Sequence, residues 1–151
     1  MTVIASDAAD VVASVGGLLY DRRMAGWTVD VLVADRSEER ALQILGATTR
    51  DLDADFETIT GDPEWVRSFA ASADIYAADE RVRGLPDITL WGDTGQLRHD
   101  VDSDSYRLSG AARMFKAQAL RAAGIHTDSV ETTETLFRCG VTAFAPVAVR
   151  S

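Results

Sequence analysis

The sequence predicts an α/β fold: a three-layer sandwich on a mostly parallel sheet of five or six strands, with an antiparallel C-terminal edge. Three observations carry that prediction. First, the apolar run Thr2–Ser6, the helix pattern Val11–Gly26 and a second apolar run, Thr28–Ala34, follow one another as strand, helix and strand. A parallel strand covered on both faces reads as continuous apolar residues, so this opening unit is Rossmann-like. Second, helix patterns and short apolar runs keep alternating down the chain, the rhythm of crossover connections. Third, Thr135–Cys139 and Val141–Val149 are separated only by Gly140, too closely for a crossover, and read as a hairpin at the sheet edge. At 151 residues the chain is expected to form one domain, large enough for a core without staples.

The elements follow in order. Asp10 is placed to cap the first helix, whose apolar positions are Val11, Val12, Val15, Leu18, Leu19 and Met24. Gly16 and Gly17 lie inside it, each costing about 1 kcal/mol relative to alanine, which implies that backbone or ligand comes close there. Gly26 ends the helix. Asp35-Arg36-Ser37-Glu38 has capping-box spacing before a short helix through Ala41, Leu42, Ile44 and Leu45, stopped by Gly46. Thr48–Asp55 reads as an acidic surface loop and Phe56–Thr60 as the third strand. Gly61-Asp62-Pro63-Glu64 reads as a helix start carrying Trp65, Val66, Phe69 and Ala70 inward. Asp74–Gly84 takes no clear assignment. Pro86 opens a fourth strand, Asp87–Trp91. Gly92–Ser105 is polar and acidic, a connection long enough to be functional or disordered. Tyr106–Gly124 is the clearest helix, with Leu108, Ala112, Phe115, Ala119 and Leu120 on one face.

Composition narrows the partners. A formal net charge of −9 repels phosphate backbones and anionic lipids, so nucleic acid and membrane surfaces are not expected to bind. Cys139 is the only cysteine, which leaves no intrachain disulfide and no thiolate metal site. Asp7 and Asp10 interrupt any apolar run that could read as a leader, and a cytoplasmic protein is the expectation. Lys116 is the only lysine.

Chemistry is expected at the first turn, Ser6-Asp7-Ala8-Ala9-Asp10, because ligands of open α/β sheets sit outside the carboxyl ends of the strands. A dinucleotide site fits Asp35, an acid able to take a ribose hydroxyl. It does not fit the turn, which offers carboxylates where glycines should meet a pyrophosphate; a helix cap is the simpler role for Asp35. Asp7 and Asp10 could hold a hard cation with a third donor from Asp93–Asp104 or His99. Equally, Asp10 as a cap and Asp7 in solvent need no metal. His99 and His126 read as ordinary hydrated or locally bonded histidines, and Trp27, Trp65 and Trp91 as boundary packing. No Gly-x-Ser-x-Gly elbow is present, and Ser14 and Ser109 have no histidine nearby in sequence.

The run Val3–Gly17 resembles the N-terminal motif of the LmbE/PIG-L family of zinc-dependent N-acetylglucosamine deacetylases: apolar-apolar-Ala-Pro-His-Pro-Asp-Asp-Glu, then paired glycines. The likeness continues through Gly26–Val33 and Arg40–Gly46 and, more weakly, through Pro86–Asp93 and Arg107–Gly124. The resemblance implies that the family's first zinc-ligating His falls on Asp7, its general-base Asp on Ala9, its ligating Asp on Asp10 and its Glu on Val11. The paired glycines are kept as Gly16 and Gly17, and the later His-Pro-Asp-His falls on Ser103-Asp104-Ser105-Tyr106. A catalytic zinc needs about three protein ligands and a base beside its water. The implied protein is therefore a degenerate, non-catalytic member with no cofactor. It would bind a small polar ligand or a protein partner through Ser6, Asp7, Asp10, Gly16, Gly17 and Asp93. The alternative is a metal-dependent amide hydrolase with zinc, manganese or magnesium on Asp7, Asp10 and His99. A homo-oligomer through the edge strand Val141–Val149 is a further expectation.

Overall fold

In the computed structural model, which describes residues 1–61, 68–93 and 102–138, the opening strand–helix–strand unit forms as its apolar runs require. β1 (Thr2–Asp7), α1 (Ala8–Met24) and β2 (Asp30–Asp35) lead into α2 (Glu39–Ile44), β3 (Thr48–Asp51) and α3 (Leu52–Thr60). Then come β4 (Phe69–Ser72), α4 (Ala73–Ala78), α5 (Glu80–Arg83) and β5 (Ile88–Trp91). β6 (Asp102–Arg107), α6 (Gly110–Ala122) and β7 (Thr133–Arg138) complete the described chain. The strands make one sheet in the order β3-β2-β1-β4-β5-β7-β6. The first five in that order pair in parallel, with Val3 opposite Val31 and Ala70 and with Ala70 opposite Thr89. β7 runs antiparallel to both β5 and β6, giving the antiparallel C-terminal edge.

Alternation along the strands sorts the core into two layers, as a pleated backbone must. Val3, Ala5, Val31, Val33, Ala70 and Trp91 face α1, α2 and α6, with Val11, Val12, Val15, Leu19 and Leu42. Ile4, Leu32, Phe69, Ala71, Ile88 and Leu90 face the other way, onto Leu52 and Phe56 of α3 and Val82 of α5. Ile4 and Leu32 are fully buried, a gain of roughly 1.5–3 kcal/mol each over exposure. The three-layer sandwich rests on these two apolar seams.

Several boundaries differ from the sequence expectation, each for a physical reason. The sheet has seven strands, not five or six. Of the three strands not expected, β3, β4 and β6, the first and last lie at the sheet edges, where half-solvated backbone tolerates Thr-Thr-Arg-Asp and Asp-Ser-Asp-Ser. Phe56–Thr60 is helix, not strand: Asp51 accepts the Ala54 amide at 2.8 Å as the cap, and Leu52 and Phe56, one turn apart, enter the core. Phe69 and Ala70 belong to β4 instead of a preceding helix, and Asp74–Gly84 resolves into α4 and α5. Tyr106 belongs to β6, and the helix expected to begin there starts at Gly110 behind the cap Ser109. Asp35 accepts the Ser37 amide at 2.9 Å in a local turn, while Glu38 at the start of α2 makes no capping side-chain bond. Gly26, at φ 97°, takes the left-handed position after α1. Trp65, Val66, His99, Cys139 and Val141–Val149 lie outside the described residues. Within those residues no helix is long and apolar enough to cross a membrane.

Candidate functional site

Strand order reverses at β1: the chain first builds outward through β2 and β3, then returns to lay β4 on the other side. The crevice between the carboxyl ends of β1 and β4 is therefore the place where an open sheet of this kind takes a ligand. Asp7 ends β1 opposite Asp35, and Ser72 ends β4 opposite Trp91. Asp7 caps α1, its Oδ1 accepting the Asp10 amide at 2.9 Å; the cap is Asp7, not Asp10. Asp10 has a different task. Its Oδ1 accepts the Ser14 hydroxyl at 3.2 Å and its Oδ2 accepts the Trp91 indole N–H at 3.0 Å. Trp91 is 1% exposed, so this bond ties the first turn to the end of β5 across the switch point. Ser72 caps α4 through the Ile75 amide. Ser6, Gly92 and Asp93 are exposed around the half-buried pair of acids. Negative charge at the first turn of α1 is favoured by the helix dipole.

Gly16 and Gly17 lie elsewhere. Gly17 is seven residues beyond Asp10, about 10 Å along α1. Both glycines are buried, and a Cβ on Gly17 would stand 2.1 Å from Leu108 Cδ2. The amides of Gly17 and Leu18 each donate to Glu134 at 2.8 Å, and Lys116 Nζ donates to the same carboxylate at 2.7 Å. The close approach implied by the paired glycines is thus made by β7 and by Leu108, just before α6. Sequence reasoning missed Trp91 as the partner of Asp10, since nothing local links residues 81 positions apart. It also missed Glu134, whose one available signal was its two-residue spacing from Leu136, the inward period of a strand.

The sequence resemblance implies a metal, and the donors can be tested for it. Asp7 Oδ1 is used by the cap, and both Asp10 oxygens already accept protein hydrogen bonds. Among the described residues no three His, Cys, Asp or Glu side chains gather as ligands. Ser103–Tyr106 lies on edge strand β6, four strand spacings from β1, about 19 Å away. Its Tyr106 hydroxyl donates to Asp21 of α1 at 2.7 Å, away from the first turn. The described residues do not fit a zinc centre.

No known family model matches the chain, and no curated protein matches it. Among solved structures, its sheet and helices have the fold of the teicoplanin and A40926 pseudoaglycone deacetylases. In particular, it is similar to the deacetylase of the teicoplanin biosynthesis pathway, with a TM-score of 0.64 and 13% identity over 91% of this chain and 97% of that one. The zinc-inhibited form of teicoplanin deacetylase gives a TM-score of 0.62 at 14% identity, covering 91% of this chain and 97% of that one. The A40926 pseudoaglycone deacetylase gives 0.58 at 17% identity, covering 89% of this chain and 95% of that one. At these identities the likeness is one of fold.

Proposed function

We propose that this chain is a non-catalytic binding domain on a deacetylase scaffold, holding a small polar ligand or a protein partner over the first strand–helix turn. The observation that carries this reading is the use made of Asp10. The one acid retained in register with the deacetylase motif is bonded to a buried indole and a serine hydroxyl, and Ala9 and Val11 flank it. Alanine cannot accept a proton from a metal-bound water, and valine cannot donate to or orient one. What remains exposed at the crevice is Ser6, Gly92 and Asp93 beside the half-buried Asp7 and Asp10, a surface for hydroxyl and ammonium groups.

The test has two arms. Glucosamine, a probe carrying both groups, is titrated into isotopically labelled protein, and amide shifts are expected at Ser6–Asp10, Ser72 and Gly92–Asp93. Acetate release from N-acetylglucosamine is followed with added zinc or manganese, and none is expected. Stoichiometric tightly held metal, with amide hydrolysis abolished by Asp10→Ala, would overturn the reading in favour of the hydrolase.

A further inference from the structure

After α6 ends, residues 123–132 climb back along it to reach the start of β7, and this return stands off from the helix. Ile125 and Val130 pack against the core beneath, and the Ile125 amide donates to Leu120 O at 2.8 Å. Between these pins, His126–Ser129 are exposed, with Thr127 Oγ1 donating to Ser129 O at 2.7 Å to shape the arch. Under it the helix presents Gly110, Arg113, Met114, Ala117 and Arg121, one face by spacing. Gly110 and Ala117 are small where the longer neighbours are not, so a cleft of about 390 Å³ is left open. That lies within the range of small-ligand sites.

We infer that this cleft binds a small amphipathic monocarboxylate. Arg113 and Arg121 flank it, and among the described residues neither guanidinium has a carboxylate partner. Arg113 makes only a 3.5 Å contact to Val130 O, long enough to yield to a better acceptor. Two guanidiniums without a carboxylate partner among the described residues, on a chain of net charge −9, mark a local reversal of sign, and the fork of arginine suits a carboxylate. Asp128 on the arch disfavours a second negative charge on the ligand. Met114, 66% exposed, joins Ile125 and Val130 as the apolar wall, which selects an anion with a hydrocarbon body over a bare ion. The site shares no residue with the first turn and stands or falls separately from it.

Hexanoate is the probe, with hexylamine and hexanol as matched controls, titrated into labelled protein. Hexanoate is expected to shift amides of residues 110–130 saturably. The Arg113→Gln, Arg121→Gln double variant is expected to weaken it by about tenfold or more, the loss of charge-assisted bonds. Ala117→Leu, which fills the floor and leaves both charges, is expected to abolish the shifts while the spectrum elsewhere stays native. Equal binding of hexylamine, shifts spread over other surfaces, or no shift at millimolar hexanoate would each overturn the assignment.

Discussion

Helix α1 meets carboxylates in two places that differ in everything but the functional group. At its first turn Asp7 and Asp10 sit half-buried at the strand tips, bonded to the chain yet facing the crevice. Two turns later Glu134 enters from β7, 3% exposed, and its oxygens are taken by two helix amides and by Lys116. The first pair stands where ligands of such sheets bind, while the second locks helix to sheet. Paired glycines and acids in one stretch of sequence invite a single explanation. The structure separates them: the acids of the turn belong to the crevice, and the glycines belong to Glu134 and Leu108.

Breaking the buried contact should have the largest effect. Glu134→Ala leaves the Lys116 ammonium, 4% exposed, without a counter-charge, and strips a partner from the Gly17 and Leu18 amides. The expected loss is about 3–5 kcal/mol of unfolding free energy by denaturant titration. Lys116→Met added to Glu134→Ala should recover part of it, with a coupling of roughly 0.5–3 kcal/mol in a double-mutant cycle. A loss below about 1 kcal/mol would mean that the pair is solvated and the contrast with the turn is false.

The glycines sharpen the comparison. Gly17→Ala drives a methyl into Leu108, whose Cδ2 and Cγ lie at 2.1 and 2.3 Å from the Cβ position, and Leu108 is 6% exposed. Overpacking of about 1–3 kcal/mol should exceed the roughly 1 kcal/mol gained in helix propensity. Gly16→Ala meets Leu45 Cδ1 at 3.3 Å, a contact relieved by a small shift, so it should be close to neutral. Equal effects at the two sites would show that the helix, and not Leu108, sets the requirement.

How much of this was legible follows from the same contrast. Thr2–Ser6, Val11–Gly26 and Thr28–Ala34 announce the opening unit because each element is apolar enough to reveal its own period. The edge strands β3 and β6 were hidden because an edge needs few apolar residues, and Phe56–Thr60 misled because Thr58, Ile59 and Thr60 are β-branched residues in a helix held by tertiary packing. At the site, the position of Asp7 and Asp10 was readable from the topology. The long-range bonds of α1 were not: that from Trp91 to Asp10, and that from the Gly17 amide to Glu134, join residues brought together only by the sheet.

At the turn itself the effect should be smaller. Asp7→Ala removes the cap on the Asp10 amide, for a loss of about 1 kcal/mol measured by urea unfolding. The same variant should reduce glucosamine-induced shifts at Ser6–Asp10 if the crevice binds through its acids. Lost stability with unchanged shifts would make Asp7 a cap and nothing more.

The smallest effect belongs to the other acid within α1, Asp21, half-buried like Asp10. It accepts the Tyr106 hydroxyl at 2.7 Å and the Ser109 hydroxyl at 2.6 Å, joining α1 to the end of β6 and the cap of α6. Burial, and then the Asp21 carboxylate, push the Tyr106 phenol up to about 12. An unfolded tyrosine ionises near pH 10, so between about pH 10 and 12 the unfolded chain has lost a proton that the native chain keeps. The contribution of this group to stability is therefore complete below pH 10 and declines as pH rises through that window. Phenolate absorbance should show a late step, and Tyr106→Phe should remove it. Asp21→Asn should lower it without restoring the value in water, since burial is the larger cause. A late step that survives Tyr106→Phe would leave Asp21 as a partner of Ser109, the cap of α6, and nothing more.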